Sequence, residues 1–475
     1  MSKGGGKSGP SMDAVKKRRT LTFNPHKQNI SLKKQAEKDN QLAAAIQKEV
    51  KKTTVHGKVD NLNASKFIEL KGSAMFRMRL ICSMLSGKSI RIDDIRSDDT
   101  KPGLRDYEVN FLRLLDRISN GTHVKISPTG TSVKFTPGVL IGGHDLQHEC
   151  VPSRSVGYYL ESLLLLGPFC KTPLEITLTN CTTNMDTDLS CDIVRAVTIP
   201  MMKHFGLGNL DTLGNPTPAP EFKLIKRGAP PLGGGEIFFK CPIIKALLPI
   251  NLCDQGMFRR VRGLAYSTRC SPSLAQRMAT SAKGMFMNYI ADIHVYTDHA
   301  KGKDSGPSAG FAIGLAAEST TGIVISAQRT AMTTASLSVL TEKVGDAKGS
   351  TALAQRPTTA ATNELEYEPG TAADSSLIVP EDVGRVCGKA LLEEIAEGGC
   401  VDSAHQSMFC LLMALGPENI SRARFGKLTT QTIQTLRLLR EFWGITFRLQ
   451  PDPKTKTVLV SCVGIGFMNM NRKVC

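Results

Sequence analysis

Residues 73–92 read SAMFRMRLICSMLSGKSIRI, and the fold follows from how this stretch is parsed. Ser73–Leu85 is an apolar run at helical spacing, Gly87 closes it, and Ser89–Ile92 continues as a strand. Further on, a polar loop from Arg96 to Gly103 opens a second helix over Tyr107–Ile118, and a hairpin spans His123–Phe135. The same order recurs twice. The second copy has Ser155–Leu166 closing at Gly167, then Leu174–Thr179, Cys191–His204, and strands near Phe222–Ile225 and Glu236–Lys240. The third has His405–Leu415 closing at Gly416, then Ile420–Phe425, Thr429–Trp443, Ile445–Leu449 and Thr457–Val463. A helix–strand–helix–strand–strand unit written three times predicts one α+β body of pseudo-threefold design, not three unrelated domains.

Two segments interrupt the repeats. Val261–Tyr266, Pro272–Tyr289, Ile293–Tyr296, Phe311–Ala317 and Gly322–Ser326 read as strand, helix and three strands, a small inserted α/β domain. From Thr330 to Thr371 the chain turns rich in Thr, Ala and Ser and loses periodicity, so a long disordered loop is expected there. Gly384–Glu397 resumes as an amphipathic helix leading into the third copy. The expected divisions are a basic arm (1–60), repeats one and two (61–255), the insert (256–329), the loop (330–380) and repeat three (381–475).

The 475 residues allow two to four domains, and a hydrophobic content of 41% is enough for a large core. No apolar run reaches the roughly 18–20 residues of a membrane span, and the N-terminus does not read as a secretory signal. The 13 cysteines lack any C-x-x-C pair, and Cys82, Cys241, Cys410 and Cys462 sit in apolar elements. That pattern suits buried thiols in a reducing compartment, and no Cys/His spacing fits a zinc site. No metal and no cofactor are expected.

Charge is the stronger hint. Net charge is +17, and residues 1–60 carry 14 Lys/Arg against 5 Asp/Glu. Lys16-Lys17-Arg18-Arg19 reads as a nuclear import signal or phosphate-binding patch, and equally as part of a solvated tail. Ser31–Lys52 has Leu42, Ile46 and Val50 at helical spacing, a stripe too thin for a core.

Three motifs carry less than they suggest. Ser86-Gly87-Lys88-Ser89 resembles the end of a phosphate-binding loop, but Cys82 stands where that loop needs Gly, and the segment follows a helix. Asp304-Ser305-Gly306-Pro307 lacks the His and Asp context of a serine nucleophile and reads as a polar loop. Gly233-Gly234-Gly235 permits a close backbone approach, either to packing neighbours or to an anion.

From Phe67 to Gly464 the chain resembles the RNA 3′-terminal phosphate cyclase family. The resemblance rests on Leu70-Lys71-Gly72-Ser73-Ala74-Met75-Phe76-Arg77, Lys101-Pro102-Gly103-Leu104, the run from Arg227 to Glu236, and Met413-Ala414-Leu415. Pro152-Ser153-Arg154-Ser155-Val156-Gly157-Tyr158-Tyr159-Leu160-Glu161 is similar to the cyclase-like branch, which works in ribosome assembly. The resemblance implies three units like the C-terminal domain of bacterial initiation factor 3, plus a small inserted domain.

The departures concern catalysis. Family cyclases carry a nucleophilic histidine near the start of the last long helix. Here that stretch is Lys427-Leu428-Thr429-Thr430-Gln431-Thr432, and the chain has no His after His405. A Thr429 hydroxyl without an adjacent base does not replace an imidazole nucleophile. Gly72-Ser73-Ala74 also stands where cyclases have Gly-Gly-Gln. His405, in the preceding helix, reads as structural.

Arg77, Arg79, Arg96, Lys101 and Arg154 lie at or before helix starts, where free backbone N–H groups favour anions. They are candidates for RNA or partner contact, the alternative being pairs with Asp93, Asp94, Asp98 or Asp99. With 5% aromatic residues, contact with an RNA backbone or with protein is expected rather than base stacking.

The resemblance implies a non-catalytic factor of the small-subunit processome in the nucleolus of the nucleus. Its expected partners are an assembly GTPase, pre-rRNA and the small nucleolar ribonucleoprotein particle. The alternative is an RNA-processing enzyme, either a pre-rRNA endonuclease or a residual cyclase. The endonuclease role proposed for the branch uses an Arg-Asp-x-Lys run. Here that run is Arg437-Leu438-Leu439-Arg440, without its carboxylate, although Glu441 follows.

Overall fold

The computed structural model describes residues 67–209, 216–331 and 379–469. The expectations for the arm, including Lys16, Lys17, Arg18 and Arg19, and for most of the Thr/Ala/Ser-rich loop lie outside these residues.

Alternation of apolar and polar residues builds the sheets. In Ile90–Asp93 and Val133–Thr136, the inward Ile90, Ile92, Val133 and Phe135 are fully buried while Arg91 and Lys134 face away. Three four-stranded sheets share one pairing scheme. In the first, Ile68–Lys71 runs parallel to Ile90–Asp93, which pairs antiparallel with Val133–Thr136, and that strand pairs with His123–Ile126. The second is ordered Gly143–Glu149, Leu174–Cys181, Gly235–Cys241, Glu221–Lys226 with the same directions. The third follows suit with Asn251–Leu252, Ile420–Phe425, Thr457–Val463 and Arg448–Asp452.

Helices α1 (Phe76–Ser86), α2 (Asp106–Ile118) and α3 (Gly157–Leu166) share one continuous core with the first two sheets. In α3 every residue but Glu161 is buried, as expected of a helix apolar on nearly all sides. The predicted helix Cys191–His204 is broken: Val194–Thr198 takes π form, Pro200 stands in the next short turn, and Lys203–Phe205 is 3₁₀.

The insert is a four-stranded sheet ordered Asp292–Ala300, Phe258–Thr268, Gly310–Ser319, Val324–Ala331. Two helices cover one face, α4 (Pro272–Phe286) and α5 (Pro380–Glu397). This corrects one expectation. The helix assigned to the third copy belongs by packing to the insert, burying Val383, Cys387 and Leu391 with Ile313 and Phe286. An amphipathic stripe says that a helix packs, not on what. The remaining helices, α6 (Gln406–Leu415) and α7 (Thr430–Trp443), return to the main core. The last hairpin is also displaced. Its first strand is Arg448–Asp452, because Ile445 and Phe447 pack into the core ahead of it.

Helices α4 and α5 approach closely because Gly384 and Gly388 face α4. A Cβ on Gly384 would lie 2.3 Å from the Met278 carbonyl oxygen, and one on Gly388 3.0 Å from Met285 Cγ. Gly284, on α4, faces open space. Gly384→Ala is therefore expected to destabilise by about 1–3 kcal/mol, the usual cost of overpacking. Gly284→Ala should be neutral or stabilising by up to about 1 kcal/mol through helix propensity. Urea midpoints of the two variants against the parent check the pair.

Candidate functional site

Thr429 is the N-cap of α7. Its Oγ1 accepts a hydrogen bond from the Thr432 amide at 3.1 Å, and the two hydroxyls lie 2.7 Å apart. Gln406, buried at the start of α6, closes the arrangement, its Oε1 accepting from the Thr429 amide at 3.2 Å and the Thr432 hydroxyl at 2.9 Å. The Thr429 hydroxyl is thus engaged in capping the start of α7. His405 is fully buried, with Nδ1 on the Asp402 carboxylate and Nε2 2.8 Å from the Thr198 hydroxyl. Burial opposes its protonation, but Asp402 outweighs this and holds its pKa above the ordinary value. Asp402 also accepts from the Ser326 amide at 2.9 Å and hydroxyl at 2.6 Å. His405 and Asp402 therefore tie α6 to the insert and to the broken helix.

The helix-start arginines have found anions within the chain. Arg77 is paired with Glu161 of α3 and donates to the Tyr158 carbonyl at 2.9 Å. Arg96 makes two bonds to Glu108, at 2.7 and 2.8 Å, and one to the Gly103 carbonyl at 3.2 Å. Burial alone would lower the Arg96 pKa, but the Glu108 contact overcomes it and raises it. Arg154 grips Asp188 at 2.5 and 3.1 Å, and the attraction of Asp188 likewise outweighs burial. Arg79 donates to the carbonyls of Gly72 and Lys71 at 2.6 and 2.9 Å.

This corrects the expectation of waiting anion contacts. The carboxylates used are also not the ones expected: Asp93 pairs with Arg91, Asp94 with Lys71 and Asp99 with Arg105.

Tyr158 draws two of the arginines together. Arg77 and Arg154 lie 4.8 and 5.1 Å from its ring centre, and Arg154 is also 4.9 Å from that of Tyr107, the neighbour of Glu108. The cluster is a clamp that joins α1, α2 and the start of α3. Lys101 stays exposed on its loop, and Arg437, Arg440 and Glu441 are exposed on α7.

Sequence reasoning missed Arg227 as a buried joint, although it opens one of the family anchors. It is 3% exposed, bonds Asp192 at 3.0 and 3.1 Å and Asp298 at 2.7 Å, and lies 4.2 Å from the Tyr266 ring centre. The glycine run beside it packs on the other discounted loop. A Cβ on Gly306 would sit 2.0 Å from the Gly233 carbonyl oxygen, and one on Gly234 2.5 Å from Pro307 Cδ. Gly87, of the third discounted motif, is the left-handed C-cap of α1.

A family model described as RNA 3′-terminal phosphate cyclase matches residues 68–449. The chain belongs to that family. Within it, the cyclase-like branch is the nearer fit. A probable RNA 3′-terminal phosphate cyclase-like protein of Dictyostelium discoideum is 45% identical, covering 85% of this chain and 99% of the relative. The RNA 3′-terminal phosphate cyclase-like protein of Homo sapiens is 41% identical over 84% and 96% of the two chains. The rRNA processing protein rcl1 of Schizosaccharomyces pombe is 35% identical over 87% and 100%.

Two measurements check the packing of the body, the first of them at the clamp. Arg154→Glu should cost on the order of 3 kcal/mol in chemical unfolding, because it leaves Asp188 facing a like charge, whereas exposed Lys101→Glu should stay within about 0.5 kcal/mol.

His148, 3% exposed and bonded to Asn110 at 2.8 Å, gives the second. Burial, then Arg117 and Arg113, push its pKa down to about 4. The unfolded chain therefore binds this proton first, and stability present above about pH 6.5 is lost as pH falls toward 4. Urea midpoints should drop between pH 7 and 4.5, and less steeply in His148→Gln. An unaltered pH slope in that variant would assign the acid sensitivity elsewhere.

Proposed function

We propose that this protein is a non-catalytic ribosome-assembly factor of the small-subunit processome, acting in small-subunit pre-rRNA processing. In this reading it is nucleolar and works by binding an assembly GTPase and pre-rRNA with its small nucleolar ribonucleoprotein particle. Its body is three units like the C-terminal domain of initiation factor 3 in a pseudo-threefold arrangement, with the insert between the second and third.

The observation that carries the reading is the helix-capping role of Thr429, which the resemblance aligns with the family's nucleophile, in a chain similar to a protein named for rRNA processing. The repeated sheet pairing and one shared core support the arrangement of the body. A further sign is the quartet Leu112-Arg113-Leu114-Leu115, which recurs as Leu436-Arg437-Leu438-Leu439 at the same distance from the caps Arg105 and Thr429.

The endonuclease reading keeps one supporting observation, the exposure of Arg437, Arg440 and Glu441 on one helix. It needs metal-bound or general-base chemistry to activate a nucleophile.

Purified protein given labelled ATP and Mg²⁺ should form no protein-bound adenylate. Thr429→Ala should cost about 1 kcal/mol as a lost cap, and cells depending on this variant should still mature small-subunit rRNA, read by northern blot. Processing lost in Thr429→Ala yet kept in Thr429→Ser, at equal protein level, would make the hydroxyl a chemical participant. Site-specific cutting of a pre-rRNA fragment by purified protein, abolished in Arg437→Ala, would promote the nuclease.

A further inference from the structure

The insert's sheet leaves one long edge open. Asp292–Ala300, nine residues, pairs parallel with Phe258–Thr268 and, among the described residues, with no strand on its other side. The edge strands of the three body sheets run to seven residues at most. The opposite edge of the insert, Val324–Ala331, is tied down. Ser326 donates to Asp402, the Gln328 side chain to the Met185 and Asp188 carbonyls, and the Thr330 amide to Asp186. A long edge presents a row of unpaired N–H and C=O groups, and folded proteins normally shorten, cover or charge such edges.

This edge carries apolar side chains instead. Ile293 and Val295 pack toward α4 and α5, so His294 and Tyr296 project from the other face of the sheet. Across that face one row runs Tyr296, Leu264, Gly314, Gln328. Its inner end meets the body: a Cβ on Gly314 would lie 3.3 Å from Ile193 Cδ1. Its outer end is open, with Tyr296 62% exposed beside the half-buried Leu264. Met287 and Tyr289, between α4 and the strand, are 73% and 74% exposed. Three of the four most exposed large apolar side chains among the described residues thus stand on or just ahead of one edge strand, and such gathering marks interaction sites.

The strand's own charges are matched. Asp292 binds Arg262 at 2.8 Å and lies 3.2 Å from His294, and Asp298 binds Arg227 at 2.7 Å. Past the strand's C-terminal end the balance changes. Lys301 and Lys303 are exposed and form no ion pair among the described residues. Exposed Arg269, whose amide donates to the Ala300 carbonyl at 3.1 Å, adds a third cation, and Asp304 is the carboxylate that stands with them.

We propose that Asp292–Ala300 is a docking edge for an extended, acidic-ended segment of another protein. The segment adds to the sheet as a further strand, lays apolar side chains over Leu264 and Tyr296, and sets its carboxylates against Lys301, Lys303 and Arg269. Main-chain pairing supplies the affinity in such strand addition, and alternate side chains supply the choice of partner. Charge complementarity selects an acidic end over a basic one. RNA would meet the cations but leave the ladder of strand N–H and C=O groups unpaired. A second copy of this chain fits less well, because nine residues make a strip about 30 Å by 10 Å. Two such strips bury about 600 Å², half of what a stable interface needs. A flexible segment covers the edge, the apolar shelf and the basic end together. The inference goes beyond the proposed function and does not rest on it, since neither the α7 start nor the arginine clamp takes part.

The test selects peptides on full-length protein from a random phage library about 16 residues long, enough to span the edge and its basic end. Enriched peptides should alternate apolar and polar residues and carry Asp or Glu at one end. The leading peptide, made synthetically, should slow amide exchange across Asp292–Ala300, the signature of an added strand. Tyr296→Lys/Lys301→Glu/Lys303→Glu should weaken it about tenfold or more. Tyr296→Phe should bind as the parent does, and so should Lys125→Glu/Lys171→Glu, which reverses charge elsewhere. Thermal melting of each variant excludes unfolding as the cause. The proposal is overturned if no peptide is enriched, if the first variant binds the leading peptide as tightly as the parent, or if protection falls on other amides. Dimerisation in sedimentation, lost in Tyr296→Lys, would assign the edge to a second copy and overturn it. So would polyuridylate that displaces the peptide and protects the same amides, which would assign the edge to RNA.

Discussion

Arg227 carries a full charge to a place where almost none of it meets water, and the joint between body and insert is built around that cost. Two bonds to Asp192 and one to Asp298 satisfy the guanidinium, and the Tyr266 ring lies against it. Asp192 comes from the body, Asp298 and Tyr266 from the insert's sheet. A buried ion pair adds little net stability over a well-packed apolar substitute, yet losing one partner is expensive. Such a joint tolerates one geometry and penalises its neighbours. Asp402 repeats the device, holding Ser326 of the insert and His405 of α6 at once. The layers of this protein are held by apolar burial, whereas the seams are fixed by charge.

That division explains what could be read from sequence. Apolar periodicity is local, so Ile420–Phe425 and Thr457–Val463 were legible to the residue, and α2 nearly so. Errors arose where local pattern is silent about partners. The stripe of α5 is the same whether it meets the insert or the third copy, and only the close approach at Gly384 and Gly388 records the choice. Gly384 was read as a helix start, but it lies a turn inside, where the missing Cβ serves packing. The break at Val194–Thr198 was signalled by Pro200, which a continuous helix accommodates poorly.

The candidate site was legible in part for the same reason. Arg77, Arg96 and Arg154 were identified as a group, and the fold gathers them near Tyr107 and Tyr158. Their partners stand 84, 12 and 34 residues away, a relation no spacing rule encodes. An arginine at a helix start draws anions whether they come from RNA or from this chain's own Glu161. At close range the internal carboxylate has the advantage, since it pays no association entropy.

What this implies for recognition follows from the placement of the remaining charge. The whole chain carries +17, of which residues 1–60 hold +9, leaving +8 for the rest. Arg77, Arg96, Arg154 and Arg227 add nothing to that excess, because each is matched by a carboxylate within hydrogen-bond distance. The surplus must therefore sit on the exposed surface and not in these seams. Screening confines each surface's field to about 10 Å at ordinary salt, so that surplus acts through direct contact rather than at long range. A fold that inherits an arginine-lined interior can use those arginines as structural ties and leave recognition to its surface.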